Sequence, residues 1–326
     1  MLASVSIILC THRSDRYEDF EEALNSLDAQ SYNNLEIIVV VDGNRELYDR
    51  IVKSGIVDVD EVKGKVKVKV ILNEKNLGLS KSRNKGIKEA KGDVIAFFDD
   101  DAVADKNWIK ELVRMYEEKE AIAAGGKILP EWVTKKPKFL PEEYYWLIGA
   151  THKGFPEEVT EVRNTFGSNL SFKADVLKAL GGFRSEMGVK GKGLLQGEET
   201  ELCERMREKF GRGVVYNPDA IVYHKVFPER LRMRFLLRRA FWQGYSKRVM
   251  KEMGYSISEE YRFVKSLFTN FWKKFDQKDE EGRFKAKSLV AFGQVLFMLI
   301  LTSAAGLGYA FKALSSYFNF KPRDST

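Results

Sequence analysis

The stretch that most constrains the fold is Asp93-Val-Ile-Ala-Phe-Phe-Asp-Asp-Asp101. Its apolar run, Val94 to Phe98, is short and continuous, which is typical of a strand covered on both faces. Three carboxylates follow at the C-terminal end of that strand, where open α/β sheets place their ligands. Adjacent carboxylates repel each other, and a hard divalent cation with oxygen ligands removes that repulsion. The alternative is a solvated acidic turn that begins the next helix.

The first 100 residues alternate predicted strands with predicted helices. This alternation predicts an α/β fold with a right-handed, mostly parallel sheet flanked by helices. The strand ends would bring Thr11, Asp42, Asn76 and Asp99–Asp101 to one edge of the sheet. Beyond about residue 120 the alternation loosens. Four more strands are predicted there, at residues 121–129, 166–172, 214–216 and 220–224.

The composition limits the kind of partner and the kind of metal site. The chain has 326 residues and a formal net charge of +7, which favours an anionic partner. Its two cysteines, Cys10 and Cys203, form no CxxC or Cys/His pattern, so neither a zinc site nor a disulfide framework is expected. The N-terminus lacks the basic and apolar regions of a signal peptide.

The C-terminal third has a different character from the rest of the chain. Between Lys225 and Lys251, basic residues far outnumber acidic ones and alternate with apolar residues at helical spacing, which is typical of a membrane-surface helix. Nucleic acid is the competing anion, and the membrane is the favoured one. Residues 288–311 contain no charge and are long enough to cross a roughly 30 Å hydrocarbon core. A hairpin or a helix in the membrane plane remains the alternative.

These patterns divide the chain into four predicted regions. Residues 1–224 form the globular α/β domain, residues 225–287 form basic interfacial helices, residues 288–311 form a hydrophobic membrane segment, and residues 312–326 form a polar tail.

Seven short segments occur in the order found in one enzyme family. They are Ser6–Arg13, Glu36–Asp42, Asn76–Asn84, Phe98–Asp101, Gly167–Phe172, Gly181–Phe183 and Gly197–Leu202. The chain resembles the family 2 glycosyltransferases, which have the GT-A fold. With its C-terminal region it is similar to membrane-associated archaeal enzymes that assemble lipid-linked oligosaccharides.

The resemblance implies roles for individual residues. The residues assigned to a nucleotide-sugar donor are Thr11, His12, Arg13, Asp42, Asn76, Gly78, Arg83, Asp99 and Asp100. Asp42 would accept a hydrogen bond from a uracil N–H, which favours a UDP-sugar. Asp99 and Asp101 match the DxD motif, and Asp101 would bind Mn²⁺ or Mg²⁺. His224 is the candidate for a third metal ligand, with a purely structural role as the alternative.

The Glu198-Glu199 pair implies the general base. In the family this motif usually reads Glu-Asp, and the aspartate is the base, so Glu199 stands at that position with one more methylene. An acidic first turn favoured by the helix dipole is the alternative. A base that deprotonates a hydroxyl during direct displacement produces an inverting transferase.

The acceptor is predicted from the C-terminal region. A hydroxyl of a dolichol-type lipid-linked saccharide is favoured, with Asn169, Arg238 and Arg239 as candidates to contact the acceptor or its phosphate. The enzyme would be membrane-associated with its catalytic domain on the cytoplasmic face. A polyprenyl-phosphate sugar synthase and a surface-polysaccharide transferase are the alternative enzymes. A membrane-tethered nucleotide- or nucleic-acid-binding protein is the alternative without catalysis.

Overall fold

The computed structural model describes residues 3–55, 66–187, 195–275 and 288–318. Parts of two predicted regions, residues 276–287 and 319–326, lie outside these described residues. The described residues divide into two compact units. The first lies within Met1–Glu131, Pro156–Gly193 and Gly197–Lys225, and the second lies within Trp132–Phe155, Leu194–Gln196 and Val226–Thr326.

The first unit begins with the predicted parallel strands. They are β1 (Val5–Thr11), β2 (Leu35–Asp42), β3 (Lys67–Asn73) and β4 (Val94–Asp99). They lie in the order β3-β2-β1-β4 and all pair in parallel. The helices α1 (Tyr17–Asp28), α2 (Arg45–Lys53) and α3 (Leu79–Glu89) occur between them in the chain, and a short 3₁₀ turn, Ser14–Arg16, precedes α1. The predicted α/β fold class is therefore confirmed.

The sheet continues with antiparallel strands. They are β5 (Ala102–Ala104), β6 (Ala123–Trp132), β7 (Thr160–Val162), β8 (Leu170–Lys173) and β9 (Val214–Val226). The order beyond β4 is β8-β6-β9-β5, and β7 pairs with β9. The helices of this part are α4 (Trp108–Glu118), α5 (Ala174–Leu180) and α6 (Glu198–Phe210).

β9 is one strand where the sequence pattern predicted two. The two predicted strands leave out Asn217-Pro218-Asp219, residue types that favour turns. In the structure Asn217 is fully buried and its side-chain amide donates to the Glu111 carbonyl oxygen at 3.0 Å. This bond provides a partner for the buried amide, and the strand continues to Val226.

The core of the first unit fixes the strand that carries the three aspartates. Ile95 and Phe97 of β4 are buried in one cluster with Leu170 and Phe172 of β8. The ring of Phe97 meets the ring of Phe183 edge-on, with centroids 5.0 Å apart. The last residue of β4 therefore leaves a rigid core at the edge of the sheet.

The second unit is mostly helical. It contains a 3₁₀ helix at Glu142–Ile148, a 3₁₀ turn at Pro228–Leu231, and the helices α7 (Met233–Glu252), α8 (Ser258–Phe275) and α9 (Ser288–Phe318). α9 runs past residue 311, where the predicted apolar segment ends. In this continuation Lys312 forms an ion pair with Glu252 at 2.9 Å. Among the described residues, α9 alone is long and apolar enough to be a candidate membrane span.

Candidate active site

The register of the parallel strands brings two of the predicted donor-binding residues, Thr11 and Asp100, together. β1 and β4 pair with Cys10 opposite Asp99, so Thr11 at the end of β1 lies beside the aspartates. The Thr11 hydroxyl donates to Asp100 Oδ2 at 2.6 Å. Strand pairing thus brings together two residues of the candidate site that are 89 positions apart in the chain.

The antiparallel part of the sheet adds a histidine to the candidate site. β5 pairs with β9 so that Ala102 faces His224, which brings the imidazole next to the preceding residue, Asp101. His224 Nε2 lies 3.2 Å from Asp101 Oδ1. One ligand atom from each of Asp99, Asp101 and His224 lies within 4.8 Å of the others. This set of oxygen and nitrogen atoms suits a divalent cation such as Mn²⁺ or Mg²⁺.

Negative charge accumulates in this group. Burial raises the pKa of Asp99, although Arg83 opposes the shift. Burial and the neighbouring Asp101 raise the pKa of Asp100 to about 7. A bound cation would favour the ionised carboxylates, so the donor set and its charge both fit a metal site.

Arg16 is a site residue that the sequence analysis missed. It ends the 3₁₀ turn after β1, and its Nη1 lies 3.3 Å from Asp101 Oδ2. Its side chain is 15% exposed, so it partly offsets the buried carboxylate while a portion of it faces solvent. No motif or spacing distinguishes Arg16 in the sequence, because its contact depends on how the turn leaves β1.

Arg83 connects the candidate metal ligands to the candidate base. Its Nη2 lies 3.3 Å from Asp99 Oδ1, and its Nη1 lies 2.9 Å from Glu199 Oε1. The side chain is 3% exposed, and its guanidinium lies over the Phe97 and Phe183 rings. Burial lowers the pKa of Arg83, but Glu199, Asp99 and Glu198 outweigh that effect and raise it. The arginine therefore remains charged and joins α3, β4 and α6.

Two glycines make room for this arrangement. A Cβ on Gly167 would overlap with Arg83 Nη2 and with Glu199 Oε1. Gly197 precedes α6 with a φ of 106°, a left-handed conformation that favours glycine. It therefore sets the start of α6, and the two glutamates occupy the first turn.

The two glutamates are placed differently. Glu198 is 5% exposed, and its Oε2 accepts a hydrogen bond from the Gly197 N–H at 3.2 Å. The Glu199 side chain is 18% exposed and contacts Arg83 directly. Glu199 is therefore the more accessible of the two carboxylates.

Asp42 organises the loop predicted to approach the donor. Its Oδ1 accepts hydrogen bonds from Asn73 Nδ2 and from the Leu77 N–H, both at 2.9 Å. Its Oδ2 accepts one from the Gly78 N–H at 2.9 Å. The carboxylate thus holds the turn that contains Asn76 and Gly78, and the contact with a uracil base stays a prediction.

The remaining predicted residues are dispersed. His12 and Arg13 are exposed at the end of β1, and Arg13 forms an ion pair with Asp15. Arg238 and Arg239 lie on α7 in the second unit.

Asn169, a predicted acceptor contact, is buried and hydrogen-bonded inside the protein. It is fully buried, its Oδ1 accepts from Trp108 Nε1 at 2.8 Å, and its Nδ2 donates to the carbonyl oxygens of Lys127 and Ala220. The amide is therefore fully used inside the protein and serves the fold. An amide within a predicted site motif can equally satisfy buried backbone groups. The acceptor contact of Asn169 stays a prediction.

The order of the motifs, the sheet and the carboxylate group can now be compared with known protein families. Residues 6–181 match the model of the family described as "Glycosyl transferase family 2". The chain belongs to this family. The enzyme prediction is therefore confirmed: the protein is a glycosyltransferase, and the non-catalytic alternative is not supported.

A relative covers nearly the whole chain. The glucosyl-dolichyl phosphate glucuronosyltransferase of Haloferax volcanii is 41% identical over 313 residues, which are 95% of this chain and 96% of that protein. The predicted resemblance to archaeal enzymes that act on dolichol-linked substrates is confirmed by this relative.

Solved structures share the fold at low sequence identity. The mannosyltransferase of Pyrobaculum calidifontis, solved with GDP-Man and Mn²⁺, has a TM-score of 0.54 at 15% identity and covers 99% of this chain and 77% of its own. S. aureus TarS 1-349, solved with UDP-GlcNAc, has a TM-score of 0.52 at 16% identity and covers 98% of this chain and 93% of its own. These likenesses support the GT-A fold.

Proposed function

We propose that this family 2 enzyme is an inverting, metal-dependent transferase. It moves a sugar from a UDP-sugar to a hydroxyl of a saccharide that is already attached to dolichyl phosphate. The observation that carries this proposal is the position of Arg83, which contacts Asp99 of the candidate metal group and the accessible carboxylate of Glu199. One buried arginine thus connects the side of the leaving diphosphate to the side of the attacking hydroxyl.

The bond changes follow from a single displacement. The acceptor oxygen forms a bond to the anomeric carbon as Glu199 takes the hydroxyl proton. The bond from that carbon to the diphosphate oxygen breaks, and the electron pair leaves with the nucleoside diphosphate. Attack from the side opposite the leaving group inverts the anomeric configuration. Glu199 supplies the base in this scheme, and Arg83 holds its carboxylate in position.

Asp99, Asp101 and His224 would hold a divalent cation. When bound, such a cation stabilises the negative charge that develops on the departing diphosphate. Arg16 and Arg83 flank the carboxylates and limit their mutual repulsion before a substrate arrives. Mn²⁺ and Mg²⁺ are both compatible with this donor set.

The acceptor is inferred from two independent features. The Haloferax relative is named for transfer to a glucosyl-dolichyl phosphate, and it aligns with 95% of this chain. A retained carboxylate at Glu199 also favours a hydroxyl acceptor, because the phosphate of dolichyl phosphate is already ionised near pH 7 and requires no base. A dolichyl-phosphate sugar synthase is the second candidate, and it predicts transfer to dolichyl phosphate itself. A surface-polysaccharide transferase would instead use an acceptor without dolichol.

The location follows from the acceptor. A lipid-linked acceptor requires an enzyme at the membrane, and α9 is the described element with the apolar length to provide contact. Nucleotide sugars are made in the cytoplasm, so the catalytic unit would face that side.

Measuring the release of the nucleoside diphosphate tests this function. The full chain would be incubated with UDP-, GDP- and dTDP-sugars, UDP-glucuronate included, with Mn²⁺, Mg²⁺ or EDTA. Each reaction would contain no lipid, dolichyl phosphate, or glucosyl-dolichyl phosphate. We expect release from a UDP-sugar that requires the glycosylated lipid and stops with EDTA. Analysis of the new linkage by NMR would show inversion.

Other outcomes separate the alternatives. Stimulation by dolichyl phosphate alone would replace the proposal with the synthase. Activity unchanged by EDTA would contradict the metal assignment. A retained anomeric configuration would contradict the displacement by a hydroxyl deprotonated at Glu199.

A further inference from the structure

α9 exposes an uncharged apolar stripe along one face. Its members are Phe292, Leu296, Leu299, Leu307, Phe311 and Leu314, which are between 44% and 65% exposed. Their spacing of three, four and eight residues places them on one side of a helix. Between Phe292 and Leu314 the helix rises about 33 Å, so the stripe extends along most of α9.

The opposite face of α9 is covered by protein. Phe297, Met298 and Leu301 are at most 5% exposed. The hydroxyl of Thr302 is hydrogen-bonded to the hydroxyl of Tyr144, at 2.5 Å. Lys312, which is the one charged residue within α9, points to this protein side, where it pairs with Glu252 of α7. α9 therefore has a protein face and a face without charge or protein cover among the described residues.

α7 packs closely against α9 near its middle. A Cβ on Gly244 would overlap with the backbone oxygen of Ala305, and a Cβ on Gly308 would overlap with that of Phe241. The two backbones therefore touch close to the midpoint of α9. Any position of α9 in a membrane determines the position of α7 as well.

α7 is too charged to lie in the hydrocarbon core. Within its 20 residues it carries six basic side chains, at positions 234, 238, 239, 247, 248 and 251. Arg234, Arg238 and Lys251 are exposed. If α9 crossed the bilayer, the contact near its midpoint would draw these cations towards the bilayer centre, where charged side chains are costly.

We propose that α9 lies in the plane of the membrane and does not cross it. The apolar stripe inserts into the acyl region of one leaflet, and the exposed basic residues of α7 remain at the level of anionic phosphate headgroups. The occupant of the exposed face is thus an anionic lipid leaflet, which satisfies the stripe and the arginines together. This inference concerns attachment and is independent of the donor and acceptor proposed above.

Vesicle flotation tests the lipid-binding face. The full chain would be mixed with vesicles of phosphatidylcholine alone or with one-third phosphatidylglycerol. We expect flotation that is stronger with the anionic lipid. The double variant Leu299→Glu/Leu307→Glu should reduce the bound fraction at least about tenfold. Arg234→Gln should reduce mainly the preference for the anionic vesicles.

A matched variant controls for the added charge. Phe210→Glu places the same change on an apolar residue of the first unit that is 37% exposed, and it should float like the wild type. Thermal melting of each variant in detergent confirms that it is folded. Flotation of the double variant at the wild-type level would overturn the proposal. So would a wild-type chain that ignores vesicles and sediments as a dimer that the double variant dissociates, because the stripe would then bind a second copy.

Chemical labelling separates an in-plane helix from a spanning one. Ser316 lies near the end of α9 and is exposed on a side away from the stripe. A single Ser316→Cys variant, with Cys10 and Cys203 replaced by serine and alanine, would be bound to sealed vesicles and treated with a membrane-impermeant maleimide. A Ser185→Cys variant in the same background reports the side of the first unit.

We expect both cysteines to react fully from the same side without detergent. Protection of Cys at position 316 until detergent is added, with Cys at position 185 reactive throughout, would overturn the proposal and establish a spanning helix. Because labelling requires no turnover, a failure of the proposed glycosyl transfer would leave this result unaffected.

Discussion

Two regions depart from ordinary burial in opposite directions. One is the edge of the first unit's sheet at the C-terminal ends of its parallel strands, and the other is the apolar stripe of α9 in the second unit. At the edge, Asp101 and Arg83 are only 5% and 2% exposed when the whole residue is counted, although charged groups usually face water. On the stripe, Leu307 is 65% exposed and Phe292 is 59% exposed, although large apolar groups usually do not face water together. We have proposed a partner that completes each region, a cation and diphosphate in one case and a lipid leaflet in the other.

The two regions also differ in how they are built. Arg83 and Glu199 are 116 positions apart, and their contact depends on α3, α6 and the sheet together. The stripe belongs to a single helix, and each of its residues acts almost alone. Single substitutions should therefore have steep effects at the edge and small, additive effects on the stripe.

The largest expected effect tests whether the edge needs a cation. Asp101→Asn keeps the size of the side chain and removes one negative ligand from the candidate metal group. We expect nucleotide release to fall about 10³-fold, with weaker Mn²⁺ binding by calorimetry. Asp219→Asn, at a carboxylate that is 72% exposed, is the matched control and should leave both unchanged. Normal Mn²⁺ affinity in Asp101→Asn would remove this residue from the metal site.

The next effect tests the base. Glu199→Gln retains a hydrogen-bond acceptor for Arg83 and removes the ability to take a proton. We expect kcat to fall about 10²-fold with the KM for the donor little changed. Glu198→Gln is the neighbouring comparison. A smaller loss of kcat is expected, because Glu198 Oε1 lies 3.9 Å from Arg83 Nη1, farther than Glu199 Oε1 at 2.9 Å, and Glu198 Oε2 accepts from the Gly197 N–H. Full activity in Glu199→Gln would show that the carboxylate only positions Arg83.

A third substitution contrasts crowding in the two regions. Gly167→Ala forces a methyl group into Arg83 and Glu199. We expect about a tenfold loss of activity and about 1–3 kcal/mol of destabilisation. Gly306→Ala lies on α9 with no heavy atom near the new methyl, and it should stabilise the chain by about 1 kcal/mol through helix propensity. Both changes in stability would be measured by thermal or denaturant unfolding. Equal effects of the two alanines would contradict the expected difference between the crowded and the open position.

Much of the fold follows from local patterns in the sequence. The apolar run Val94 to Phe98 predicts β4 to within one residue, because a strand covered on both faces needs a continuous apolar segment. The antiparallel half was harder to predict, since β5 has three residues and β7 has three, too few for a period. β9 continues through Asn217, whose buried amide donates to the Glu111 carbonyl oxygen, a tertiary contact that no local pattern contains.

Candidate site residues stand out in the sequence where residue type alone determines the chemistry. The three consecutive aspartates and the glutamate pair can be recognised in the sequence without knowing how the helices and strands are arranged. Arg16 cannot be recognised in this way, because an arginine near a turn is common and its partner Asp101 is 85 positions away. Asn169 lies within a site motif, and the side-chain contacts that the structure gives it are with Trp108 and two backbone carbonyls. Pairings of this kind require the register of the whole sheet.

A fourth substitution tests the close packing of α7 against α9. Gly244→Ala places a methyl group against the Ala305 backbone, which no side-chain rotation relieves. We expect about 1–3 kcal/mol of destabilisation of the helical unit, followed by circular dichroism at 222 nm. Gly293→Ala, with open space around its Cβ, is the control on α9 and should not destabilise. Unchanged stability in Gly244→Ala would separate the two helices and weaken the case for an in-plane α9.

The smallest effect compares the two ends of β4. Asp99, at its C-terminal end, has a pKa raised by burial, whereas hydrogen bonds from the Ser4 N–H and hydroxyl lower the pKa of Asp93, just before β4, below its ordinary value of 3.8. A folded-state pKa below the unfolded one stabilises the protein above the unfolded value, and this contribution is lost as the pH falls through the folded value. Asp93→Asn should therefore lower Tm by about 1 °C at pH 7, and the difference should shrink as the pH falls below 3.8. Asp93 is exposed, so the effect is small.

Ser4→Ala and the double variant complete this test. Ser4→Ala removes the donating hydroxyl, 2.8 Å from Asp93 Oδ2, and keeps the backbone donor at 2.9 Å. It should reproduce part of the loss at pH 7, and the double variant should lose less than the sum of the two single changes. A Tm difference for Asp93→Asn that is the same at pH 7 and pH 3 would contradict the linkage. In that case an exposed carboxylate held by two hydrogen bonds would titrate like one in water, and the contrast with the buried aspartates would depend on burial alone.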